Sequence, residues 1–267
     1  MRDSRELSSR HRRTRQALLQ AALTCAERWR WPVVPGAVLV ERVDGLGDLG
    51  APGELPNGDP APGEPAAPGP RTVCSCGDPR CAVPAAHPLD QSLLAATTDA
   101  RMVRWWWERH SPQAPVIVAT GGAVAAVSVP AVAGGRLLAY LDALRLPVGP
   151  VLAGPTRWAL LVAPYSYPEL AELLVDQERT LCPGGAPGEV PSSVRYHGPG
   201  GFLVLPPSRV GDAGTPGRRL GEGAGVRWVR RPVAAPGGGV RLPPVASLLE
   251  ALLAAGSAAP DGSRLAY

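Results

Sequence analysis

Three cysteines and a histidine crowd into the stretch CSCGDPRCAVPAAH as Cys74, Cys76, Cys81 and His87, a C-x-C-x4-C-x5-H spacing. Threaded by Gly77, Pro79 and Pro84, thiolate and imidazole donors this close in sequence can fold around one tetrahedral ion. A disulfide is disfavoured in a reducing cytoplasm, and no apolar periodicity buries these cysteines in another way. Structural zinc is the expected occupant, with metal-free loop cysteines or a weak redox role as the alternatives. Four protein ligands leave no open coordination position, so the site reads as a staple rather than a catalyst. Cys25 and Cys182 read as ordinary thiols.

Few other residues are placed for chemistry. Between Glu108 and Glu169 the only carboxylate is Asp142, with Arg145 three residues on as a local ion-pair partner. From Thr180 to Gly211 the only acid is Glu189, in a Pro-Gly loop. Paired Mg²⁺ or Mn²⁺ ions need clustered oxygen ligands, and these spans contain no second carboxylate to share a metal. Gly121-Gly122 and Gly200-Gly201 read as tight turns, because no G-x-x-x-x-G-K-[ST] phosphate loop is present. The four histidines are spread along the chain, and no serine has a histidine and an aspartate in a recognisable motif. Arg157, Arg227, Arg230 and Arg231 are candidates for a phosphate-facing surface, against the plainer reading of a solvated face. In Trp105-Trp106-Trp107, helical spacing buries Trp106 and Trp107 with Val103 and leaves Trp105 free to stack on a base.

The chain that positions these groups has 267 residues, 45% hydrophobic and 19% charged, enough for a sizeable core in one large domain or two small ones. Gly and Pro, 32 each, are clustered and mark long loops rather than general disorder. No apolar run reaches the roughly 18 to 20 residues that a bilayer needs. The arginine-rich start has no apolar segment and cleavage site behind it, so it does not read as a secretory signal. A cytoplasmic protein without a membrane partner is expected. All 27 basic residues are arginine, which a GC-rich codon bias explains. Up to Arg15 the chain carries Arg2, Arg5, Arg10, Arg12, Arg13 and Arg15 against Asp3 and Glu6, so the whole net charge of +4 resides there. This arm, residues 1–15, reads as a solvated, disordered terminus with some capacity for phosphate contacts.

Leu18, Leu19, Ala22, Leu23 and Ala26 repeat at helical spacing over Thr14 to Trp29, and Trp31-Pro32 closes that helix. Val33 to Val40 reads as a strand, and residues 45–70 as a flexible insert. Thr97-Thr98-Asp99 caps a helix running to His110. Pro115–Ala119, Val124–Val129, Ala159–Ala163 and Phe202–Leu205 read as buried strands, and Val226–Val229 as an edge strand. Helices are expected at Gly134–Leu144, Tyr167–Asp176 and Val245–Leu253. The alternation implies an α/β or α+β sheet with helices packed on it. One domain over 16–256, followed by a tail at 257–267, accommodates all of these elements.

Four segments in this order resemble the N-terminal domain of the bifunctional DNA primase/polymerase (Prim-Pol) family, in its compact actinobacterial form. They are the opening helix running into ERWRWPV at Glu27, CSCGDPRCAVPAAHP at Cys74, ATTDARMVRWWWERH with VIVATGG from Ala96, and GPGGFLVLPPS from Gly198. With PVGPV at Pro147 between them, the resemblance spans nearly the whole chain. It implies an archaeo-eukaryotic primase-like fold, a central mostly antiparallel sheet flanked by helices. It also implies template-directed nucleotide addition with two divalent ions.

Against the motifs this resemblance implies, the chain departs at each catalytic position. An hhDhD motif on the strand after the TGG turn matches AVAAVSVPA, which places Ser128 and Pro130 at the two acids. The motif histidine of a later strand matches Trp158, and the acid before the glycine pair matches Arg195, with His197 close enough to leave a role open. The expectation is a degenerate Prim-Pol domain that binds DNA or nucleotides or regulates replication. An active primase/polymerase drawing acids from Asp90, Asp99 or Glu108, with Mg²⁺ or Mn²⁺, is one alternative. A protein-interaction module whose cleft is filled by Trp158 and Pro130 is the other.

Overall fold

A computed structural model of the chain describes residues 2–42, 71–78, 80–89, 93–181, 191–211 and 224–258. The insert at 45–70, Asp90, Cys182, Glu189 and the tail beyond 258 lie outside the described residues.

Helix α1 (Arg2–Leu23) continues as a wider π-helical turn, Thr24–Trp29. It forms because Leu18, Ala22, Leu23, Cys25 and Ala26 line one buried face. The segment expected as a disordered arm is therefore the first part of α1 from Arg2 onward. Arg30, at φ 58°, ends the helix and turns the chain into β1 (Val33–Pro35). The expected Val33–Val40 strand is interrupted at Gly36, which forms an isolated bridge with Pro88 and sits where a Cβ would lie 3.0 Å from the Ile117 side chain. The chain re-pairs as β2 (Leu39–Arg42) with β3 (Arg71–Cys74).

The Asp99 side chain accepts the Arg101 backbone N–H and caps α2 (Ala100–Trp105), which runs into a π-helical turn, Trp106–His110. After it come β4 (Val116–Ala119), β5 (Ala125–Pro130), α3 (Ala131–Ala143), β6 (Val151–Ala153) and β7 (Arg157–Val162). Helix α4 (Tyr167–Leu181), β8 (Arg195–His197), β9 (Phe202–Leu205), β10 (Arg209–Val210), β11 (Ala224–Gly225), β12 (Arg227–Arg230) and α5 (Leu249–Ser257) complete the order.

Every strand pair among the described residues is antiparallel. One sheet has the order β12-β6-β7-β5-β8 and a second the order β1-β4-β9. The Thr120-Gly121-Gly122 turn carries the chain from the second sheet to the first. Gly121 sits at φ +102°, and a Cβ there would lie 2.3 Å from the Pro199 backbone.

Strand β5 is buried along its whole length, so both of its faces are covered. Ala125, Val127 and Val129 pack with Leu137 and Leu141 of α3 and Leu252 of α5. On the opposite face Ala126, Leu152, Ala159 and Leu161 join a core with α1, Val103, Trp107 and the second sheet. Ser128 belongs to that second face, by the two-residue period of a strand. A cleft lies where the two sheets meet.

Candidate functional site: a polar cluster between two sheets and a Cys/His cluster beside it

The register decides which side chains meet in the cleft. Ser128 on β5 stands opposite Ala159 on β7 and Arg195 on β8, and Pro130 stands opposite Arg157. Arg157 therefore projects from β7 on the same face as Ser128. Its Nε–H donates to Ser128 Oγ at 2.9 Å, and its Nη2 donates to the backbone carbonyls of Ser128 and Ser193, each at 2.7 Å. Ser128 Oγ lies 2.9 Å from His197 Nε2. An arginine can only donate, so the serine hydroxyl accepts from it and donates its own O–H to Nε2 of the histidine.

Electrostatics agree with that direction. Burial pushes His197 down to about 4, helped by the nearby charges of Arg157 and Arg195, while a hydrogen bond to the Phe202 backbone raises it. The ring is therefore neutral at pH 7. A serine and a histidine at hydrogen-bond distance resemble the start of a nucleophilic dyad, which sequence spacing did not reveal. Here the imidazole has two guanidinium groups beside it, and burial further weakens it as a general base. The cleft walls are Ala86, Leu152, Ala159 and Phe202 with Gly154, Pro155 and Thr156, and no carboxylate lines them among the described residues. The cavity measures about 80 Å³, well below the roughly 300 Å³ at which ligand clefts usually begin.

Several expected placements change. Trp158, expected at the position of a motif histidine, pairs with Val129 and lies on the face opposite Ser128. Gly134 of α3 sits directly over it, for a Cβ there would come within 2.4 Å of the indole. A shift of one residue along a strand exchanges its faces, which puts Arg157 rather than Trp158 in the cleft. The same geometry removes Trp158 as a plug of the cleft. Arg157 is correspondingly buried, at 7% exposure, and lines the cleft rather than a solvated face. Arg227 is exposed on the Trp158 side, with its guanidinium 5.8 Å from the indole centroid. Arg230, not Arg145, is the ion-pair partner of Asp142, and Arg231 is exposed just beyond β12. Trp107 and Val103 are buried, whereas Trp105 is half exposed and stacks on His110. Asp99 is engaged as a helix cap and Glu108 is exposed on its helix, so neither reaches the cleft.

The cysteine stretch folds beside this cleft. Strand β3 delivers Cys74, and Gly77 at φ +79° turns the chain toward Cys81. The ligand atoms of Cys74, Cys76, Cys81 and His87 all lie within 4.8 Å of one another. His87 Nε2 is 3.3 Å from Cys74 Sγ and 3.5 Å from Cys81 Sγ. Tetrahedral bonds of ordinary length would place such a nitrogen and sulfur about 3.6 Å apart. His87 Nδ1 donates to the Pro88 carbonyl at 2.8 Å, which leaves Nε2 as the ligand and fixes the ring. The four residues thus fit one metal ion. Backbone bonds from Ala37 to His87 O and from Gly211 to Pro84 O tie the loop to the core. Ala86, next to His87, forms part of the cleft wall.

The model of the bifunctional DNA primase/polymerase N-terminal domain family matches residues 22–242, and the chain belongs to that family. No curated protein and no solved structure matches the chain. Among the described residues no helix is long and apolar enough to cross a membrane.

Proposed function

We propose that this chain is a non-catalytic Prim-Pol domain acting in nucleic-acid or nucleotide binding or in the regulation of replication. The observation that carries the reading is the Arg157 guanidinium held on Ser128 inside the cleft. The positions matched to metal-binding acids hold Ser128, Pro130 and Arg195, and Arg157 and neutral His197 surround them. Such a site offers positive charge and neutral donors where Mg²⁺ or Mn²⁺ requires carboxylate oxygens. The described surroundings of Asp99 and Glu108 give no support to an alternative set of acids.

The Cys74, Cys76, Cys81 and His87 cluster would hold zinc, the ion that three thiolates and an imidazole in a tetrahedral cage select. Zinc there supplies folding energy and no chemistry. Thiolate ligands of this kind persist in a reducing compartment, which supports a cytoplasmic setting. Residues 16–256 are taken as one domain, in keeping with the reach of the family match.

Primer synthesis and extension on single-stranded DNA, with Mg²⁺ or Mn²⁺, tests the reading. No incorporation is expected from folded wild-type protein. Template-dependent incorporation would overturn it.

A further inference from the structure

The middle of α1 carries a fully exposed stretch. From Arg10 to Ala17 every residue is exposed, and among the described side chains the first buried one is Leu18. Arg10, His11, Arg12, Arg13 and Arg15 fall within this stretch, and no carboxylate occurs between Glu6 and Glu27. A short helix without an apolar stripe gains nothing from packing, and its strongest available interaction is with negative charge.

The arrangement of that charge selects the partner. At roughly 100° per residue, Arg10, Arg12, Arg13 and Arg15 point at about 0°, 200°, 300° and 140° around the axis. The charges ring the helix instead of forming one face. A flat anionic bilayer would call for a basic face opposite an apolar one, and Ala17 is the only apolar residue from Ser8 to Ala17. A duplex groove has phosphates on both walls, and its major groove, about 12 Å wide, accepts a helix about 10 to 12 Å across. We infer that the exposed stretch of α1 from Arg10 to Ala17 enters the major groove of double-stranded DNA, with Arg10, Arg12, Arg13 and Arg15 contacting phosphates on both sides. This rests on the nucleic-acid reading above but not on the state of the cleft.

Each phosphate neutralised contributes about −0.9 to the slope of log affinity against log salt, so four arginines supply about −3.6. Between about 50 and 200 mM salt they account for about 150-fold of the lost affinity. The test is fluorescence anisotropy of the full, zinc-loaded chain on a random-sequence DNA duplex at both salt concentrations. Single-stranded oligo-dT and anionic vesicles serve as competing probes. Arg12→Gln/Arg13→Gln should shrink the salt-induced loss about 12-fold, and the quadruple Gln variant should remove nearly all of the α1 contribution. Glutamine keeps helix propensity close to that of arginine, and far-UV circular dichroism verifies the helix. Equal affinity and slope in wild type and the quadruple variant would overturn the inference, as would tighter binding to oligo-dT or to vesicles than to duplex. Duplex binding that survives the quadruple variant but is lost in Arg227→Gln would sink this inference and leave the nucleic-acid reading standing. Nucleotide incorporation in the primer assay would overturn the non-catalytic reading of the cleft and leave this inference standing.

Discussion

Acidification should destabilise the fold through one residue, His197. Its neutral ring accepts from Ser128 at 2.9 Å, is 6% exposed and has Arg157 and Arg195 nearby. Burial and those charges push it down to about 4, against 6.5 for an ordinary histidine. Between those two values the unfolded chain binds a proton that the folded chain refuses, so stability falls as pH falls. It is complete above about pH 6.5 and lost progressively toward pH 4. At 1.36 kcal/mol per unit the gap corresponds to about 3 kcal/mol, or a melting shift of about 6 to 12 °C. Carboxylates also titrate near the lower end, so the useful quantity is a difference. His197→Gln retains an acceptor for the Ser128 hydroxyl and carries no titratable ring. Urea unfolding midpoints of both proteins, measured from about pH 7.5 to 4, should diverge in slope by up to one proton. Parallel curves, or a His197 ring titrating above 6 by NMR, would refute the electrostatic account of the cleft.

Three further outcomes follow from the packing. Gly134→Ala puts a methyl group against the Trp158 indole and should cost about 1–3 kcal/mol in thermal or urea unfolding, although alanine is the better helix former. Trp107→Ala empties a buried site and loses the indole bond to the Ala114 carbonyl, for about 3–5 kcal/mol, whereas Trp105→Ala at half exposure should stay within about 0.5 kcal/mol. Purified protein should contain one zinc per chain by elemental analysis. Cys81→Ser or prolonged chelation should remove it and increase hydrogen exchange in β2, β3 and the 80–89 loop, and unchanged exchange would contradict a stapling role.

Most elements were legible because their burial is periodic. The Leu18–Ala26 helix, the strand at 202–205 and the Asp99 cap lie where spacing and capping chemistry placed them. The Cys/His cluster was legible from ligand type and proximity alone. Register was not. Nothing local in ARG-TRP-ALA at 157–159 tells which residue faces the cleft, since β7 is covered on both sides and its burial pattern does not alternate. Only pairing with β5 settles that Arg157 meets Ser128 and that Trp158 lies under Gly134. The Ser128–His197 contact spans 69 residues and the Asp142–Arg230 pair spans 88, distances at which no sequence spacing carries a signal. The helicity of α1 before Leu18 was hidden for the opposite reason, because a helix without an apolar stripe has no periodicity to read.

The central claim is that an internal guanidinium, rather than a pair of divalent ions, occupies the cleft. Mn²⁺ titrated into zinc-loaded, ¹⁵N-labelled protein, with the His197 ring and the Ser128 amide followed by paramagnetic broadening, tests it directly. Both resonances should remain sharp at millimolar Mn²⁺ in wild type. Broadening centred on Ser128 and His197 at micromolar Mn²⁺ would contradict the account, because it would place a divalent ion where the Arg157 guanidinium stands.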